Sequence, residues 1–286
     1  MCPEPSPRPP VALTIAGSDP SGGAGVQADL KTFSALGAYG TSVLTALTAQ
    51  STTGVTGVHE VPIDFVHAQL DTLLADVRID AVKIGMLGSA ELTRAVGRYL
   101  EGPLADTVRV LDPVMISTSG SRLLPESAVD AVRALLPHAD VITPNLPEAA
   151  VLTGMAPAVD LDGMRVQARL LHHRWGARQV LLKGGHLPGL GDAVDLWFDG
   201  HHEEIHRAPR VPTVNTHGTG CTLSSALAAL RPRHPGWPQT VAAAKSWLTR
   251  AIQHADTLEI GAGPGPVHHF HEDTRRWRAR TPADTR

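Results

Sequence analysis

The chain has 286 residues, of which 42% are hydrophobic and 19% charged, and its formal net charge is -3. This length is sufficient for one large α/β domain or two small ones. The nearly balanced charge argues against a nucleic-acid or other polyanionic partner. No apolar run approaches the length of a membrane span, and the start of the chain, with five prolines in ten residues, lacks the apolar core of a signal peptide. We therefore expect a cytoplasmic protein without a membrane segment.

The cysteines and the chain ends indicate where the folded part lies. Cys2 and Cys221 are far apart in the sequence, so a structural disulfide is not expected, which fits a reducing cytosol. Residues 1–10 are predicted to be a disordered Pro-rich tail, and the charged residues 272–286 a frayed one. The sequence predicts a single domain over residues 11–271.

The first two elements are a strand and a helix joined by a Gly-rich loop. Val11–Ala16 is a short apolar run typical of a buried strand, and helical spacing resumes over Val26–Phe33. The loop has four glycines, but it is neither a Walker loop nor a Gly-x-Gly-x-x-Gly dinucleotide motif. A flexible turn is the alternative to a ligand-binding loop; the glycines, and Asp29 one turn into the helix, favour the ligand.

The alternation of strands and helices continues along the chain. A β-branched segment over Thr41–Ala49 ends before Gln50, and an extended flap over Val55–Pro62 precedes a helix over Asp64–Val77, with Asp64 as a possible N-cap. Further strands are predicted at Ala81–Ile84, Val108–Leu111, Asp140–Ile142 and Gln179–Leu182. Helices are predicted at Ser89–Leu100 with Ser89 as cap, at Glu126–Leu136, at Asp160–Arg174 and at Thr240–His254, and a β-hairpin at Ala193–Asp199 and Glu203–Arg207.

This alternation predicts an α/β fold with one mostly parallel sheet, covered on both faces, and a small antiparallel β-hairpin at one edge. In such sheets the carboxyl ends of the strands meet along one edge, where ligands bind. Polar and Gly-rich segments follow several of the predicted strands, so we expect their side chains to converge at that edge.

The strongest candidate site is the junction at residues 215–222, Asn-Thr-His-Gly-Thr-Gly-Cys-Thr, before an Ala/Leu-rich helix over residues 223–230. Unpaired N–H groups and the helix dipole make such a junction an anion site suited to phosphate. The same field is expected to lower the pKa of Cys221 and to favour its thiolate. The alternative is a helix that merely begins after a tight Gly-Thr-Gly turn.

Four other polar residues follow strand ends. Gln50 can read a heterocycle, because its amide is both donor and acceptor, although such residues are more often ordinary loop residues. Asp112, locked by the next proline, suits a metal or phosphate site, with a turn or cap as its alternative. Asn145 and Glu148 lie three residues apart at a helix start and can face one site, whereas capping is the alternative role for Asn145.

Seven motifs occur in order between Val11 and His271: Ala16–Asp29, Thr48–Gln50, Lys83–Leu87, Leu111–Met115, Thr143–Ala149, Leu182–His186 and the 215–222 junction. Each motif alone is weak, but seven in this order are specific. On these motifs the chain resembles the bacterial hydroxymethylpyrimidine/phosphomethylpyrimidine kinases of thiamine biosynthesis, members of the ribokinase-like superfamily.

The resemblance implies a ribokinase-like three-layer αβα sandwich and an enzyme that uses ATP and Mg2+. It implies phosphorylation of 4-amino-5-hydroxymethyl-2-methylpyrimidine to its monophosphate and then to the diphosphate. It also implies a homodimer, with the flap over Val55–Val61 available for the subunit interface.

The resemblance further implies a role for each site residue. Gln50 would hydrogen-bond the aminopyrimidine edge, with a backbone contact from Thr48. The pyrimidine pocket would be walled by Gly17, Ala24, Asp29, Met86 and Val114. The amides of Gly218, Thr219, Gly220 and Cys221 would form the anion hole for the transferring phosphoryl group, and the Cys221 thiolate could serve as base. Asp112 and Glu148 would hold Mg2+ through water, and Asn145, Lys183 and Thr219 would lie on the nucleotide phosphate side.

Three alternative functions stay open at this point. A pyridoxal or pyridoxine kinase of the same fold takes a similar heteroaromatic alcohol, but Gln50 and Cys221 favour the pyrimidine enzyme. If the chain were a non-catalytic pyrimidine-binding sensor, residues of the anion hole or the metal site would be expected to be replaced. All of these residues are present in the sequence. No charge patch or exposed stripe favours a purely structural partner protein.

Overall fold

The computed structural model describes residues 8–115, 126–185, 187 and 191–273. Some sequence predictions concern residues outside these ranges: Cys2, a predicted loop over Ser117–Gly120, His186, and residues 274–286 of the predicted frayed tail. The last residues of the predicted N-terminal tail are held in place: Arg8 pairs with Asp80 at 2.9 Å, and the Pro10 carbonyl accepts a hydrogen bond from Tyr39 N–H.

The elements follow each other in the order expected of an α/β fold. The strands are β1 Val11–Ala16, β2 Tyr39–Leu44, β3 Ala46–Ser51, β4 Gly54–Glu60, β5 Ala81–Ile84, β6 Val108–Leu111, β7 Val141–Ile142, β8 Val180–Gly184, β9 Asp192–Phe198 and β10 Glu203–Pro209. The helices are α1 Gly25–Ala35, α2 Ile63–Asp76, α3 Ala90–Glu101, α4 Val129–Leu135, α5 Leu146–Thr153, α6 Leu161–Trp175, α7 Thr219–Leu230 and α8 Trp237–Gln253. None of the described helices has the length and apolar character that a membrane crossing requires.

Eight of the strands form one sheet in the order β10-β9-β8-β7-β6-β5-β1-β2. The pairs from β8 to β2 are parallel, and β9 and β10 add an antiparallel edge. β3 and β4 form a separate antiparallel hairpin. The predicted parallel sheet with an antiparallel hairpin edge is therefore confirmed.

Successive side chains of each strand point to opposite faces of the sheet, so the strands contribute to two apolar cores. Ala12 of β1, Ala81 of β5 and Val110 of β6 face α1, α7 and α8, whereas their neighbours Leu13, Val82 and Leu111 face α2 to α6. Both faces of the sheet are thus covered, which gives the expected three layers.

Several element boundaries differ from the sequence predictions. The segment over Thr41–Ala49 is two strands, because the chain leaves the main sheet at Thr45 and β3 pairs with β4 instead. Gln50 therefore lies inside β3 rather than after a strand end. The prediction of Asp64 as an N-cap is wrong: α2 begins after Pro62, and the Asp64 side chain accepts from Phe65 N–H.

The Ser89 cap is confirmed, and the helix predicted from Asp160 begins one residue later, with Asp160 as its N-cap. Ser89 caps α3 by accepting from Leu92 N–H, and Asp160 caps α6 by accepting from Gly163 N–H. The helix predicted from Thr240 begins three residues earlier, at Trp237, because Pro238 occupies its first turn.

A buried ion pair joins α8 to the antiparallel edge of the sheet. Lys245 Nζ lies 2.5 Å from Asp195 Oδ2, and both side chains are 9% exposed. The second oxygen of Asp195 accepts from Gly184 N–H at 3.0 Å, so the pair also holds the end of β8.

We predict that Lys245→Met lowers the free energy of unfolding by about 3–5 kcal/mol, because it leaves the buried Asp195 charge without a partner. Adding Asp195→Asn should recover part of this loss, since the amide oxygen can still accept from Gly184 N–H. Urea unfolding followed by circular dichroism measures both. Arg250→Met is the control, because its pair with Glu272 is exposed and should contribute little. Equal losses for Lys245→Met and Arg250→Met would contradict the prediction.

Candidate active site

A row of polar side chains lies at the carboxyl ends of five neighbouring strands, on the sheet face that α7 covers. Each comes two positions after a residue of the core on that face, as Asp112 follows Val110 and Lys183 follows Leu181. In spatial order from β1 to β8 the row is Thr14, Lys83, Asp112, Thr143 and Lys183. The pleat of the strands therefore brings two lysines and an aspartate beneath one helix.

Asp112 and Lys183 form an ion pair within this row. Asp112 Oδ1 accepts from Lys183 Nζ and from Thr143 Oγ1, both at 2.9 Å. Burial disfavours the ionised carboxylate, but Lys183 and Lys83 hold the pKa of Asp112 below its ordinary value. Burial also disfavours the Lys183 ammonium, yet Asp112 and Glu148 raise the pKa of Lys183. Both groups are therefore charged at neutral pH.

Asn145 and Glu148 form a capping box at the start of α5. Asn145 Oδ1 accepts from Glu148 N–H, and Glu148 Oε2 accepts from Asn145 N–H, both at 2.8 Å. The capping alternative for Asn145 is thus confirmed, although a parallel bridge also places Asn145 beside Lys183. Burial raises the pKa of Glu148 to about 7; Lys183 opposes the rise and Asp112 adds to it.

The start of α7 lies directly over Asp112 and Lys183. Gly218 is the N-cap with φ of 75°, and a Cβ there would lie 1.8 Å from the Gly23 carbonyl oxygen, so only glycine fits. A Cβ on Gly220 would lie 3.2 Å from Lys183 Nζ and 3.7 Å from Asp112 Oδ2. The predicted helix junction is therefore present, with a cation and a carboxylate beside its first turn.

The first-turn amides of α7 are the predicted anion hole. Thr219 N–H points to the Thr216 carbonyl oxygen at 3.3 Å, and Thr222 N–H makes the first intrahelical bond, to the Gly218 carbonyl. Gly220 and Cys221 lie between them, at positions where amides have no intrahelical acceptor. These two N–H groups are the best placed to bind an anion.

The prediction of a thiolate at Cys221 is wrong for this arrangement. The residue is partly exposed, but its sulfur is enclosed and accepts a hydrogen bond from Gly25 N–H. Burial raises the pKa of Cys221 to about 11; the Lys83 ammonium opposes this rise, and the carboxylates of Asp29 and Asp112 add to it. Burial is the largest of these effects, so the side chain is a neutral thiol at neutral pH.

Beneath Cys221 lies a fully buried ion pair between Asp29 of α1 and Lys83 of β5. Lys83 Nζ donates to both Asp29 oxygens at 2.9 and 3.0 Å, while Thr14 and Ser225 hydroxyls each donate to one of them at 2.6 Å. Burial disfavours the ammonium, but Asp29 holds the pKa of Lys83 above its ordinary value. The Asp29 carboxylate has no exposed surface. It cannot touch a ligand in this arrangement, so its predicted place in the pocket wall is revised to a positioning role.

Asp19 and His217 connect the Gly-rich loop to the loop before α7. His217 Nε2 lies 2.8 Å from Asp19 Oδ2, and Ala24 N–H donates to the same oxygen. Burial disfavours the ionised Asp19, but hydrogen bonds from His217, Ser21 and Ala24 lower its pKa to about 2. Asp19 is therefore a carboxylate at neutral pH, and the hydrogen that it accepts is carried by His217 Nε2.

The Gln50 amide lies beside His217, with one amide atom 3.4 Å from His217 Nε2 and the other 3.3 Å from Thr48 Oγ1. When the amide oxygen faces His217 and the amide nitrogen faces Thr48, the single Nε2 hydrogen is directed mainly to Asp19 and is shared with Gln50 only at the longer distance. The Thr48 hydroxyl is then free to donate to the Ser18 carbonyl at 2.9 Å. This network joins the hairpin to both Gly-rich loops.

The structure shows where three of the predicted pocket residues lie. A Cβ on Gly17 would lie 2.4 Å from Met86 Cε, and Val114 follows Asp112 with its N–H donating to the Asp112 carbonyl. A cavity of about 700 Å³ lies between the β3–β4 hairpin and the start of α3, and its described lining includes Ala46, Glu60 and Met86. Met86 is the predicted pocket residue in that lining.

Sequence reasoning missed Lys83, Asp19, His217 and Ser225 as parts of the site. Lys83 carried a signal, because a charged residue inside a four-residue apolar strand needs a partner. The other three gave none: their roles depend on contacts between segments about 200 residues apart.

Across the described residues, no three His, Cys, Asp or Glu side chains are grouped so that they could hold a metal ion. Asp112 and Glu148 nevertheless lie close enough for the Asp112 carboxylate to raise the pKa of Glu148. Mg2+ is commonly held by one or two carboxylates together with water and substrate phosphates. The pair therefore fits a magnesium ion that arrives with a nucleotide.

Comparison with known proteins identifies the family to which this site belongs. The model of the phosphomethylpyrimidine kinase family matches residues 19–268. The chain is 56% identical over 261 residues to the hydroxymethylpyrimidine/phosphomethylpyrimidine kinase of Salmonella typhimurium, covering 91% of this chain and 97% of that one. It is 50% identical over 259 residues to the thiamine biosynthesis bifunctional protein ThiED of Geobacter sulfurreducens, covering 90% of this chain and 52% of that protein.

Solved structures show the same fold. Pyridoxal kinase of Staphylococcus aureus in complex with AMP-PCP is 33% identical with a TM-score of 0.84, covering 93% of this chain and 95% of that one. Phosphomethylpyrimidine kinase of Clostridium difficile is 39% identical with a TM-score of 0.74, covering 85% and 99%. The ribokinase-like fold implied by the seven motifs is confirmed, and with the family model matching residues 19–268 the chain belongs to the phosphomethylpyrimidine kinase family.

Proposed function

We propose that this chain transfers phosphate from ATP to the hydroxymethyl group of 4-amino-5-hydroxymethyl-2-methylpyrimidine, and then phosphorylates the monophosphate to the diphosphate, in thiamine biosynthesis and salvage. The observation that carries the proposal is the convergence of Lys183, Asp112 and the first-turn amides of α7 opposite the hairpin that bears Gln50. The names of relatives more than 50% identical support the substrate. Residues 11–271 would act as one cytoplasmic kinase domain.

The chemistry of phosphoryl transfer fits the groups at this site. Its transition state is loose, with charge spread over the equatorial oxygens, so positioning and charge stabilisation supply most of the catalysis. The N–H groups of Gly220 and Cys221 would bind these oxygens, with Thr219 beside them. The Lys183 ammonium, with Asn145 next to it, would lie toward the nucleotide phosphates.

Asp112 and Glu148 would hold Mg2+ through water. When bound, the ion would neutralise charge on the ATP phosphates. Glu148 has the higher pKa of the two carboxyls, because it is buried beside Asp112. An added cation would favour its ionised form.

The pyrimidine would bind between the hairpin and the Gly-rich loop. The Gln50 amide and the Thr48 backbone would contact its aminopyrimidine edge, and Gly17, Ala24, Met86 and Val114 would form the walls. Pyridoxal is the second candidate substrate, because several similar solved structures are pyridoxal kinases at TM-scores of 0.83 to 0.84.

The central experiment incubates the protein with ATP, Mg2+ and the hydroxymethylpyrimidine and resolves monophosphate from diphosphate, with pyridoxal in a parallel reaction. We expect both pyrimidine products.

Gln50→Ala should raise the KM for the pyrimidine roughly 10- to 100-fold, since a ligand hydrogen bond of about 1.5–3 kcal/mol is removed, with the KM for ATP unchanged. Gln239→Ala, an exposed glutamine in α8, is the control. An unchanged pyrimidine KM in Gln50→Ala would refute the role of Gln50, and faster turnover of pyridoxal would favour the second candidate.

We further propose that Cys221 accepts the proton of the substrate hydroxyl. With a pKa of about 11, roughly one thiol in ten thousand is ionised at pH 7. The rate should therefore rise with pH, about tenfold per unit between pH 7 and 9. Cys221→Ala should lower kcat about 100-fold at pH 8 and abolish this rise, because a general base contributes at least that much. A flat wild-type profile with a loss below about tenfold would make Cys221 only a polar wall of the anion hole.

A homodimer is the proposed assembly. Leu47 and Val58 are 45% and 52% exposed on opposite faces of the β3–β4 hairpin, as their register shows, and Phe65 of α2 is 60% exposed nearby in sequence. A second copy of the chain would cover these apolar side chains.

Sedimentation should give twice the 30.2 kDa mass of one chain, and Leu47→Asp should shift the measured mass toward that of the monomer. Val159→Asp, at a 67% exposed valine outside the hairpin, should leave the mass unchanged. A wild-type monomer would overturn the proposal.

A further inference from the structure

A further Gly-rich segment, Gly261-Ala262-Gly263-Pro264-Gly265, takes no part in the chemistry described above. The chain reaches it after the short helix at Ala255–Leu258 and leaves it into the buried Val267. On one side the segment contacts the turn of the β3–β4 hairpin, and on the other it contacts the loop before α7. We call it the 261–265 segment.

The contact with the hairpin turn is made at a distance that only glycine permits. Gly263 N–H donates to Thr52 Oγ1 at 3.2 Å. A Cβ on Gly263 would lie 2.1 Å from the Thr52 carbonyl oxygen, and one on Gly261 would lie 2.2 Å from Thr52 Oγ1. Both distances are far below ordinary contact, so the bare backbone of the segment is the surface on which the turn rests.

The contact with the loop before α7 fixes the segment from behind. Gly265 N–H donates to Asn215 Oδ1 at 2.7 Å, and His217 N–H donates to the Gly265 carbonyl at 3.0 Å. Asn215 is held in turn by Asp256, to which it donates at 2.7 Å. The segment is therefore anchored to the loop that ends in the anion hole.

These two contacts close a ring that includes Gln50. The hairpin starts at Ala46, whose carbonyl accepts from Ser18 N–H, and its turn rests on the 261–265 segment. Between these points the Gln50 amide lies 3.4 Å from His217 Nε2, on the loop to which the segment is anchored. A two-stranded hairpin is at best marginally stable alone, so its orientation depends on such contacts.

We propose that the 261–265 segment positions Gln50, by holding the hairpin turn so that the Gln50 amide stays beside His217. This inference rests on the proposed function, in which Gln50 binds the pyrimidine. Gly263 is a positioning residue: it acts through the hairpin and touches no substrate. Its loss should weaken pyrimidine binding and leave the nucleotide side unaffected.

The test compares two Gly→Ala variants. Gly263→Ala forces the turn away from the segment, whereas Gly57→Ala lies on the same hairpin, where the new Cβ meets only the Ala49 Cβ at an ordinary 3.6 Å. We expect Gly263→Ala to raise the KM for the hydroxymethylpyrimidine about tenfold, the equivalent of about 1.4 kcal/mol, with kcat and the KM for ATP within about twofold of wild type. Gly57→Ala should leave all three within about twofold.

Hydrogen exchange of the ligand-free proteins provides a readout that does not depend on activity. Amides of residues 46–60 should exchange on the order of tenfold faster in Gly263→Ala than in wild type, because the hairpin opens locally more often, while Gly57→Ala should match wild type. If Gly263→Ala does not fold, Thr52→Ala decides, since it removes the Oγ1 acceptor together with the Cγ2 methyl group, leaves the backbone of the segment unchanged and should raise both quantities about threefold.

Unchanged exchange and an unchanged pyrimidine KM in the folded variants would overturn the inference. Equal increases in the KM values for ATP and pyrimidine would also overturn it, because they would indicate a general structural role. A wild-type protein that does not phosphorylate the pyrimidine would refute the proposed function instead, and the exchange data would then decide whether the segment holds the hairpin.

Discussion

The site depends on the buried ion pair between Asp29 and Lys83. Taking two charges out of water costs several kcal/mol per ion, and the cost is offset only when geometry and additional hydrogen bonds are good. Here both carboxylate oxygens are fully used, by the ammonium and by hydroxyls of Thr14 and Ser225. The four groups come from β1, β5, α1 and α7. A shift of α7 along the sheet would break the Ser225 hydrogen bond to Asp29, so the pair helps to fix where the first turn of α7 lies.

The first turn of α7 lies over the polar row at the strand ends, and positive and negative side chains alternate along that row. Lys83 of β5 and Lys183 of β8 lie on either side of Asp112, with Thr143 also in the row, so the one carboxylate of the row lies between two cations. This arrangement keeps Asp112 ionised despite its burial. Cys221 differs from an ordinary helix-terminal cysteine chiefly because burial raises its pKa; Lys83 opposes this rise, and Asp29 and Asp112 add to it. The same enclosure that shapes an anion hole therefore keeps the thiol protonated in the absence of a ligand.

Much of the fold could be predicted because its signals are local. Apolar runs bounded by Gly, Pro and caps marked β1, β5, β6 and β8, and Ser89 and Asp160 began their helices as expected. Where a local pattern was compatible with two structures, only the folded chain decided between them. The β-branched run over Thr41–Ala49 reads as one strand, but its second half pairs with β4, so Gln50 lies inside a hairpin. Asn145 and Glu148 could have faced a ligand or each other, and the capping box shows that they satisfy each other's backbone.

The sequence by itself determined the layered α/β fold, the helix that follows the Gly-rich junction and the family, because periodicity, glycines and ordered motifs are properties of neighbouring residues. The helix itself begins at Thr219, four residues before the predicted start at Leu223. Only the tertiary structure decided how charges pair. Asp29 meets Lys83, Asp19 meets His217, and the 261–265 segment meets Thr52 through contacts between residues 54 to 211 positions apart. Burial and the electrostatic field of such partners set the pKa of Cys221, and neither can be evaluated before the chain is folded.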